Sequence, residues 1–225
     1  MKFETNIERR MSGRHKACLA MENFEDKKIL DIGCSYGWFE KFIGKKAKEI
    51  IGIDLYEKDL KIAEKEVNLK NIKFEKGSAL DLKKFKENYF DIVAMFDVIE
   101  HIPKYTEELA LKEIKRILKK NGKLLISTPA NNFSNFFDPA WYFGHRHYSK
   151  EKIKYIFENS GFSIDKIEIK GGFWELFSMI LFYPFKWFFD MEIPWKNWFD
   201  KKRDGEYLKN KESFVTLFAW GRIKR

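Results

Sequence analysis

Lys28-Ile-Leu-Asp-Ile-Gly-Cys-Ser-Tyr-Gly-Trp-Phe39, followed shortly by Glu49-Ile-Ile-Gly-Ile-Asp54, is the stretch whose reading decides the fold. Ile29 to Ile32 is a short apolar run with β-branched residues, the composition of a strand buried on both faces. It passes directly into Gly33 and Gly37, where backbone turns sharply and approaches a ligand with no Cβ in the way. Trp38 to Ile43 reads as the first turns of a helix, and the apolar run Ile50 to Ile53 ends on a carboxylate, Asp54. Strand, glycine loop, helix, strand and terminal acid, in that order, make the nucleotide-binding half of a doubly wound sheet. Its ligand lies beyond the carboxyl ends of the strands.

The glycine spacing narrows the ligand. A dinucleotide fingerprint needs glycines at relative positions one, three and six, and here those positions hold Gly33, Ser35 and Trp38. An indole at the third would obstruct close packing of helix on strand. The pattern Asp31-x-Gly33-x-Ser35-x-Gly37 instead resembles the first motif of class I S-adenosylmethionine (SAM) methyltransferases, with Ser35 departing at the middle glycine. Asp54, at the end of the next strand, is placed to accept both ribose hydroxyls.

The resemblance continues along the chain, over roughly residues 25–170 and 213–223. Gly77-Ser78-Ala79 stands where such enzymes commonly hold the adenine, with Ser78 replacing the usual Asp and Asp81 close behind. Phe96-Asp97-Val98-Ile99-Glu100-His101-Ile102 is similar to the fourth-strand motif of the branch marked by Glu-His after that strand. Leu125-Ile-Ser-Thr-Pro129 and Gly144-His-Arg-His-Tyr-Ser149 also match this branch, which includes ubiquinone-pathway and sugar or lipid methyltransferases. The resemblance implies an α/β fold: a doubly wound, mostly parallel seven-stranded sheet with an antiparallel last strand. It also implies SAM as cofactor, held by Asp31, Gly33, Ser35, Gly37, Asp54, Leu55, Ser78, Ala79 and Phe96.

Composition agrees with one sizeable domain over 1–225 carrying an appendage. Cys18 and Cys34 are the only cysteines, with no CxxC, which suits a reducing cytoplasm, and Cys34 reads as a small filler rather than a nucleophile. Neither a signal peptide nor a bilayer-spanning run is expected. The net charge is +9, and from Lys196 onward nine Lys or Arg stand against four Asp or Glu. A basic tail suits nucleic acid or an anionic membrane surface, although a Lys-rich composition is equally a solvated surface.

Periodicity predicts helices over 1–27, Glu57–Val67, Glu107–Lys120 (stopped by Asn121-Gly122) and Ser149 to Asn159. Strands are predicted at Ile72–Phe74, Phe90–Met95, Lys123–Ser127, Phe162–Ile169 and Ser213–Ile223. Residues 171–212 break this alternation as a helical insertion before the last strand. Nine of the seventeen residues from Phe173 to Phe189 are aromatic, and Pro184 divides the run into two short helices. Lys186, Lys196, Lys201, Lys202 and Arg203 interleave with Trp187, Trp195 and Trp198, the make-up of a segment lying on anionic lipid. A lid over an apolar acceptor or a dimer contact is the competing expectation.

Methyl transfer from a sulfonium is an in-line displacement in which the enzyme mainly aligns donor and acceptor. A hydroxyl acceptor must also lose a proton, and His101, with Glu100 beside it, is the candidate base. Trp141, Tyr142, His145, Arg146 and His147 read as a substrate-side loop, with Arg146 suited to an anionic acceptor. A metal set of Asp97, Glu100, His101 and His145 is an alternative that would favour RNA 2′-O-methylation. A SAM-binding scaffold without turnover is the alternative of another class. The expectation is a cytoplasmic O-methyltransferase, with peripheral contact at the membrane's cytoplasmic face as an option, for a small, sugar or lipid-linked acceptor.

Overall fold

The computed structural model describes residues 11–142, 144–178, 180–181, 195–209 and 211–224. Seven strands form one sheet: β1 Lys28–Ile32, β2 Glu49–Asp54, β3 Ile72–Lys76, β4 Phe90–Phe96, β5 Leu118–Pro129, β6 Phe162–Lys170 and β7 Thr216–Ile223. Their spatial order is β3-β2-β1-β4-β5-β7-β6. Neighbours pair in parallel, except that β7 runs antiparallel to both β5 and β6. The doubly wound, mostly parallel sheet expected above is therefore the fold. The order reverses between β1 and β4, which is where a ligand site opens in such sheets.

Each strand alternates between two apolar layers, because successive side chains leave opposite faces. One layer holds Leu30, Ile32, Val93 and Met95 against α4 (Glu107–Ile117) and α6 (Lys150–Asn159). The other holds Ile29, Ile50, Ile92 and Ala94 against α1 (Gly13–Leu19) and α2 (Trp38–Ile43). By that parity, Asp31, Gly52 and Asp54 face the α2 side. α3 (Glu57–Glu66) links β2 to β3, α5 (Pro139–Tyr142) is a single turn after β5, and Ser149 caps α6 as predicted, its Oγ accepting the Lys152 N–H at 3.2 Å.

Three expected boundaries are corrected. The first helix covers only Gly13–Leu19, started by a capping box in which Ser12 and His15 each satisfy the other's backbone N–H; residues 1–10 of the expected helix lie outside the described residues. α4 stops at Ile117, and Asn121-Gly122 is not its terminator. Leu118 is already extended and pairs with Phe90, and the next pair is Ile92 with Lys123, so Asn121-Gly122 falls in a bulge of β5. β7 begins at Thr216 rather than Ser213, since Phe214 and Val215 hydrogen-bond back to the Gly171 carbonyl.

The insertion is less of an appendage than its composition suggests. Residues 173–178 are helical (α7), and α8 spans Lys196–Leu208. The Glu206 carboxylate accepts the N–H groups of Gly172, Trp174 and Glu175 at 2.9–3.1 Å, capping the start of α7. Asp204 accepts the Gly13 N–H at 2.8 Å, and a Cβ on Gly13 would stand 2.4 Å from the Asp204 backbone. α8 is therefore packed tightly on α1. The expected break at Pro184 and the neighbours Lys186 and Trp187 lie outside the described residues.

Candidate functional site

At the carboxyl end of β1 the chain turns back on β2, with the Gly33 and Cys34 N–H groups donating to the Ile53 carbonyl at 2.7 and 3.1 Å. Gly33, Ser35 and Gly37 all take positive φ, of 77°, 46° and 77°. A Cβ on Gly33 would lie 2.2 Å from Val98 Cγ2, so the loop approaches the turn after β4 closely. Gly37 opens α2 in the left-handed conformation. Trp38 then stacks on His15 of α1, with centroids 4.2 Å apart, and so avoids the helix–strand contact that a dinucleotide fold requires to be small.

Asp54 ends β2 with each carboxylate oxygen already oriented, Oδ2 by the Ser35 N–H at 2.9 Å and Oδ1 by the Tyr56 N–H at 3.0 Å. Each oxygen keeps a lone pair, so the carboxylate remains a rigid two-point acceptor. Leu55 and Tyr56 beside it are exposed. The loop after β3 is tied to this corner by the Gly77 N–H, which donates to the Asp54 carbonyl at 3.0 Å. Ser78 Oγ accepts the Leu80 N–H at 3.2 Å, so Ser78 shapes the turn, with Ala79 buried behind and Asp81 exposed. Cys34 is fully buried and its thiol is pushed up, chiefly by burial and then by Glu40, which leaves it a filler.

Asp31 lies below the loop, only 2% exposed, and its carboxyl sits far above the usual carboxylate range through burial and the neighbouring Glu40. Glu40, on α2, is fully buried, and its carboxyl is pushed up to about 8, chiefly by burial. Neither Glu40 oxygen meets a donor. Gly52 makes the room: a Cβ there would stand 2.5 Å from Glu40 Oε1. Glycine in a strand interior costs about 0.5–1 kcal/mol relative to alanine, so it needs such a reason.

The turn after β4 carries the reactive candidates. Asp97 takes φ 57° and accepts the Ser127 hydroxyl at 3.0 Å, and it also pairs with the guanidinium of Arg14 from α1. The Glu100 carboxyl is buried against the Thr128 hydroxyl at 3.0 Å rather than against His101, and burial, then Asp97, pushes it up to about 8. The His101 ring meets His145 edge to face, with centroids 4.4 Å apart. Partial burial, then His145, holds the His101 imidazole below its ordinary value. Among the described residues no three His, Cys, Asp or Glu side chains gather to hold a metal, and the set Asp97, Glu100, His101 and His145 does not assemble into one.

Arg146 does not wait for an anionic acceptor. Its Nη1 pairs with Glu107 at 2.5 Å, and its other nitrogens donate to the carbonyls of Ile99, Glu100 and Ile102. Tyr148 OH adds a bond to Glu107 at 2.9 Å. Arg146 thus pins the Glu100-His101 turn to α4 and to its own loop, which brings His145 beside His101. His147 is also structural: its buried ring meets Asn135 Oδ1 at 2.8 Å and lies 3.2 Å from Asp138. Phe96 is in the core, packed on Trp38 and Phe39, not on the site's surface.

Trp141 and Tyr142 stay exposed, together with Phe136, on the short helical turns 133–137 and 139–142 that follow β5. Arg14, Glu40 and Thr128 are the site residues that the sequence reading missed. Glu40 alone left a signal, as a carboxylate directly beside the buried Phe39 on a helix whose apolar face packs on the sheet.

Several known proteins are similar to this chain. A family described as "Methyltransferase domain" matches residues 3–167. The chain is 35% identical over 114 residues to a demethylmenaquinone methyltransferase from Staphylococcus carnosus, a match covering 48% of this chain and 46% of that protein. It is 27% identical over 128 residues to a ubiquinone biosynthesis O-methyltransferase from Idiomarina loihiensis, covering 52% and 49%. The chain thus spans about half the length of the curated relatives it matches. The S-adenosylmethionine dependent methyltransferase from Mesorhizobium loti superposes with a TM-score of 0.66 over 94% of this chain and 98% of that one, at 17% identity. A chain from the complex of the Haloferax volcanii Trm112 methyltransferase activator with a methyltransferase gives 0.69 over 95% and 89%, also at 17% identity. At those identities the likeness is one of fold.

Proposed function

The chain belongs to the methyltransferase domain family, and we propose that it is a SAM-dependent methyltransferase acting on a hydroxyl of a small or lipid-linked acceptor, with His101 as base. The residues fit the cofactor in three respects. Gly33 lets the glycine loop close on Val98 of the turn after β4, Asp54 offers two pre-oriented acceptors for a diol, and Asp31 sets a carboxyl below the loop where a cation is wanted. When bound, SAM supplies a methyl group on sulfonium, a leaving group that needs no acid.

What remains for the chain is alignment and one proton. The observation that carries the reading is the His101–His145 pair, placed on the turn whose Val98 touches the glycine loop. His101 Nδ1 or Nε2 accepts the hydroxyl proton as oxygen becomes a nucleophile, and its depressed basicity keeps the ring neutral at physiological pH. Arg146 holds the turn in register, and the Glu100–Thr128 bond ties it to the end of β5. Trp141, Tyr142 and Phe136 give the mouth an apolar rim.

That rim, and relatives named for demethylmenaquinone and ubiquinone biosynthesis, favour a quinol-type phenol or a sugar on an apolar carrier. The exposed Trp195, Trp198, Lys201 and Lys202 of the insertion support peripheral contact with anionic lipid. Incubating the purified protein with SAM and with phenolic and glycolipid acceptors tests the reading. One methyl gained on acceptor oxygen, located by tandem mass spectrometry, is expected. Methylation at carbon or nitrogen would overturn the assignment of the atom and the need for a base.

A further inference from the structure

The niche beneath the glycine loop holds two carboxyl groups and, among the described residues, no counter-charge. Asp31 on β1 pairs in register with Gly52 on β2 and with Ala94 on β4, so small residues flank it on both sides. Glu40 descends from α2 into the space that Gly52 leaves, and Gly52 is the register partner of Asp31, which puts the two carboxyls in one niche. Both Glu40 oxygens are buried and lack a donor, and among the described residues no Lys, Arg or His bonds to either carboxyl. The other titratable groups facing the niche are Asp54 from the end of β2, the Cys34 thiol from the loop and the Cys18 thiol from α1. Two adjacent carboxylates, both ionised and both out of water, would be severely destabilising. A proton between them removes one charge and gives the unpartnered oxygen its hydrogen bond.

We propose that Glu40 shares a proton with Asp31, so that the pair presents one negative charge to the ammonium group of the cofactor and makes Glu40 a positioning residue for SAM. The proposal rests on the SAM-dependent reading of the site. Asp31 keeps a sliver of exposure while Glu40 has none, which orders the two: Asp31 faces the ligand and Glu40 stands behind it. A cation arriving at Asp31 lowers the proton affinity of the carboxyl behind it. Binding therefore releases part of the shared proton, and affinity rises with pH through the neutral range. The niche has a structural consequence without any ligand. Glu40 binds its proton more tightly folded than unfolded, so the folded chain holds more protons than the unfolded chain between the ordinary Glu range and about pH 8. Over that window this group's contribution to stability falls as pH rises.

Infrared difference spectroscopy of the protein alone tests the shared proton, whether or not any cofactor binds. Glu100 holds a raised carboxyl of its own, so the spectra are taken on the Glu100→Gln background: a protonated carboxyl band at neutral pH that titrates away near pH 8 is expected there, and it should vanish when Glu40→Gln is added. No such band in folded Glu100→Gln would overturn the proposal even if SAM binds. Calorimetry of SAM binding in buffers of different ionisation enthalpy then counts protons. The wild type should release more than Glu40→Gln, whose amide permanently mimics the protonated acid, and the variant's affinity should change less with pH, by up to tenfold per unit. Equal proton counts would overturn it. If Glu40→Gln fails to fold, the titration of the band in Glu100→Gln still decides.

Discussion

Asp54 shows how far one residue's geometry carries a prediction. Its two oxygens are fixed by backbone N–H groups and retain lone pairs for a diol, and a hydrogen bond to a charged acceptor contributes about 1.5–3 kcal/mol. Asp54→Ala should therefore weaken SAM binding by about tens- to hundreds-fold or more in calorimetry, with circular dichroism confirming a folded chain. Unchanged affinity would remove Asp54 from the site. Gly33→Ala meets two obstacles at once, the positive φ and Val98 at 2.2 Å, and should lower stability by more than about 1 kcal/mol while abolishing SAM binding. His101 predicts a pH profile. The neutral ring is the active form, so turnover falls as acid protonates it. Because its proton affinity is depressed, the fall should begin below the ordinary imidazole value of about 6.5. His101→Gln should cost about 10²–10⁴ in turnover and remove that acid limb, with SAM affinity kept. Survival of the limb in the variant would assign the proton to another group.

At the scale of elements, the decisive contact joins a loop, a turn and a helix through Arg146. Removing one partner of a buried pair is strongly destabilising, by about 3–5 kcal/mol, so Arg146→Ala tests folding more than chemistry. Arg146→Lys is the sharper experiment. It keeps the charge near Glu107 but lacks the planar fork that reaches three carbonyls at once. Turnover number should fall at least about tenfold with SAM affinity unchanged, as a displaced His101 loses alignment. An unaltered turnover number would mean that the turn holds itself. The same contact shows what was legible in the sequence. The placement of Gly33, Gly37 and Asp54 around the strand ends was legible because it follows from local spacing around one strand–loop–strand unit. Arg146, His147 and Phe96 were misplaced because their roles depend on which distant element they meet, and a charged or aromatic residue in a motif-rich stretch looks functional until its partners are seen. The misread end of α4 has a similar cause: Asn121-Gly122 carries a helix-stop composition, but Leu118 is recruited by Phe90 into the sheet first.

Across the whole molecule, charge is unevenly placed. The chain carries +9, yet at the strand ends the Asp97 charge is met by Arg14 and burial raises Glu100, which leaves Asp54 and the Asp31–Glu40 pair to face a cationic cofactor. Part of the positive charge lies on α8, which divides it by face. Arg203 is turned inward to Glu175 at 3.3 Å, and Asp204 and Glu206 are taken up by α1 and α7, while Lys201 and Lys202 face outward with Trp195 and Trp198. Lys202 Nζ lies 5.4 Å from the Trp198 ring and 5.9 Å from Trp174. No helix among the described residues is long and apolar enough to cross a membrane, so contact would be with a surface. Deleting residues 173–203 is a poor test, since it removes Phe199 and the first half of a helix packed on α1. Lys201→Glu with Lys202→Glu reverses the outer face and leaves the inner one intact. The wild type should float with vesicles containing anionic lipid at low salt, release as the salt rises, and ignore neutral vesicles. The double variant should stay in solution while binding SAM as before. A wild type that never floats would turn the aromatic face over to a lid or a second copy of the chain, and light scattering across a concentration series would then separate those two.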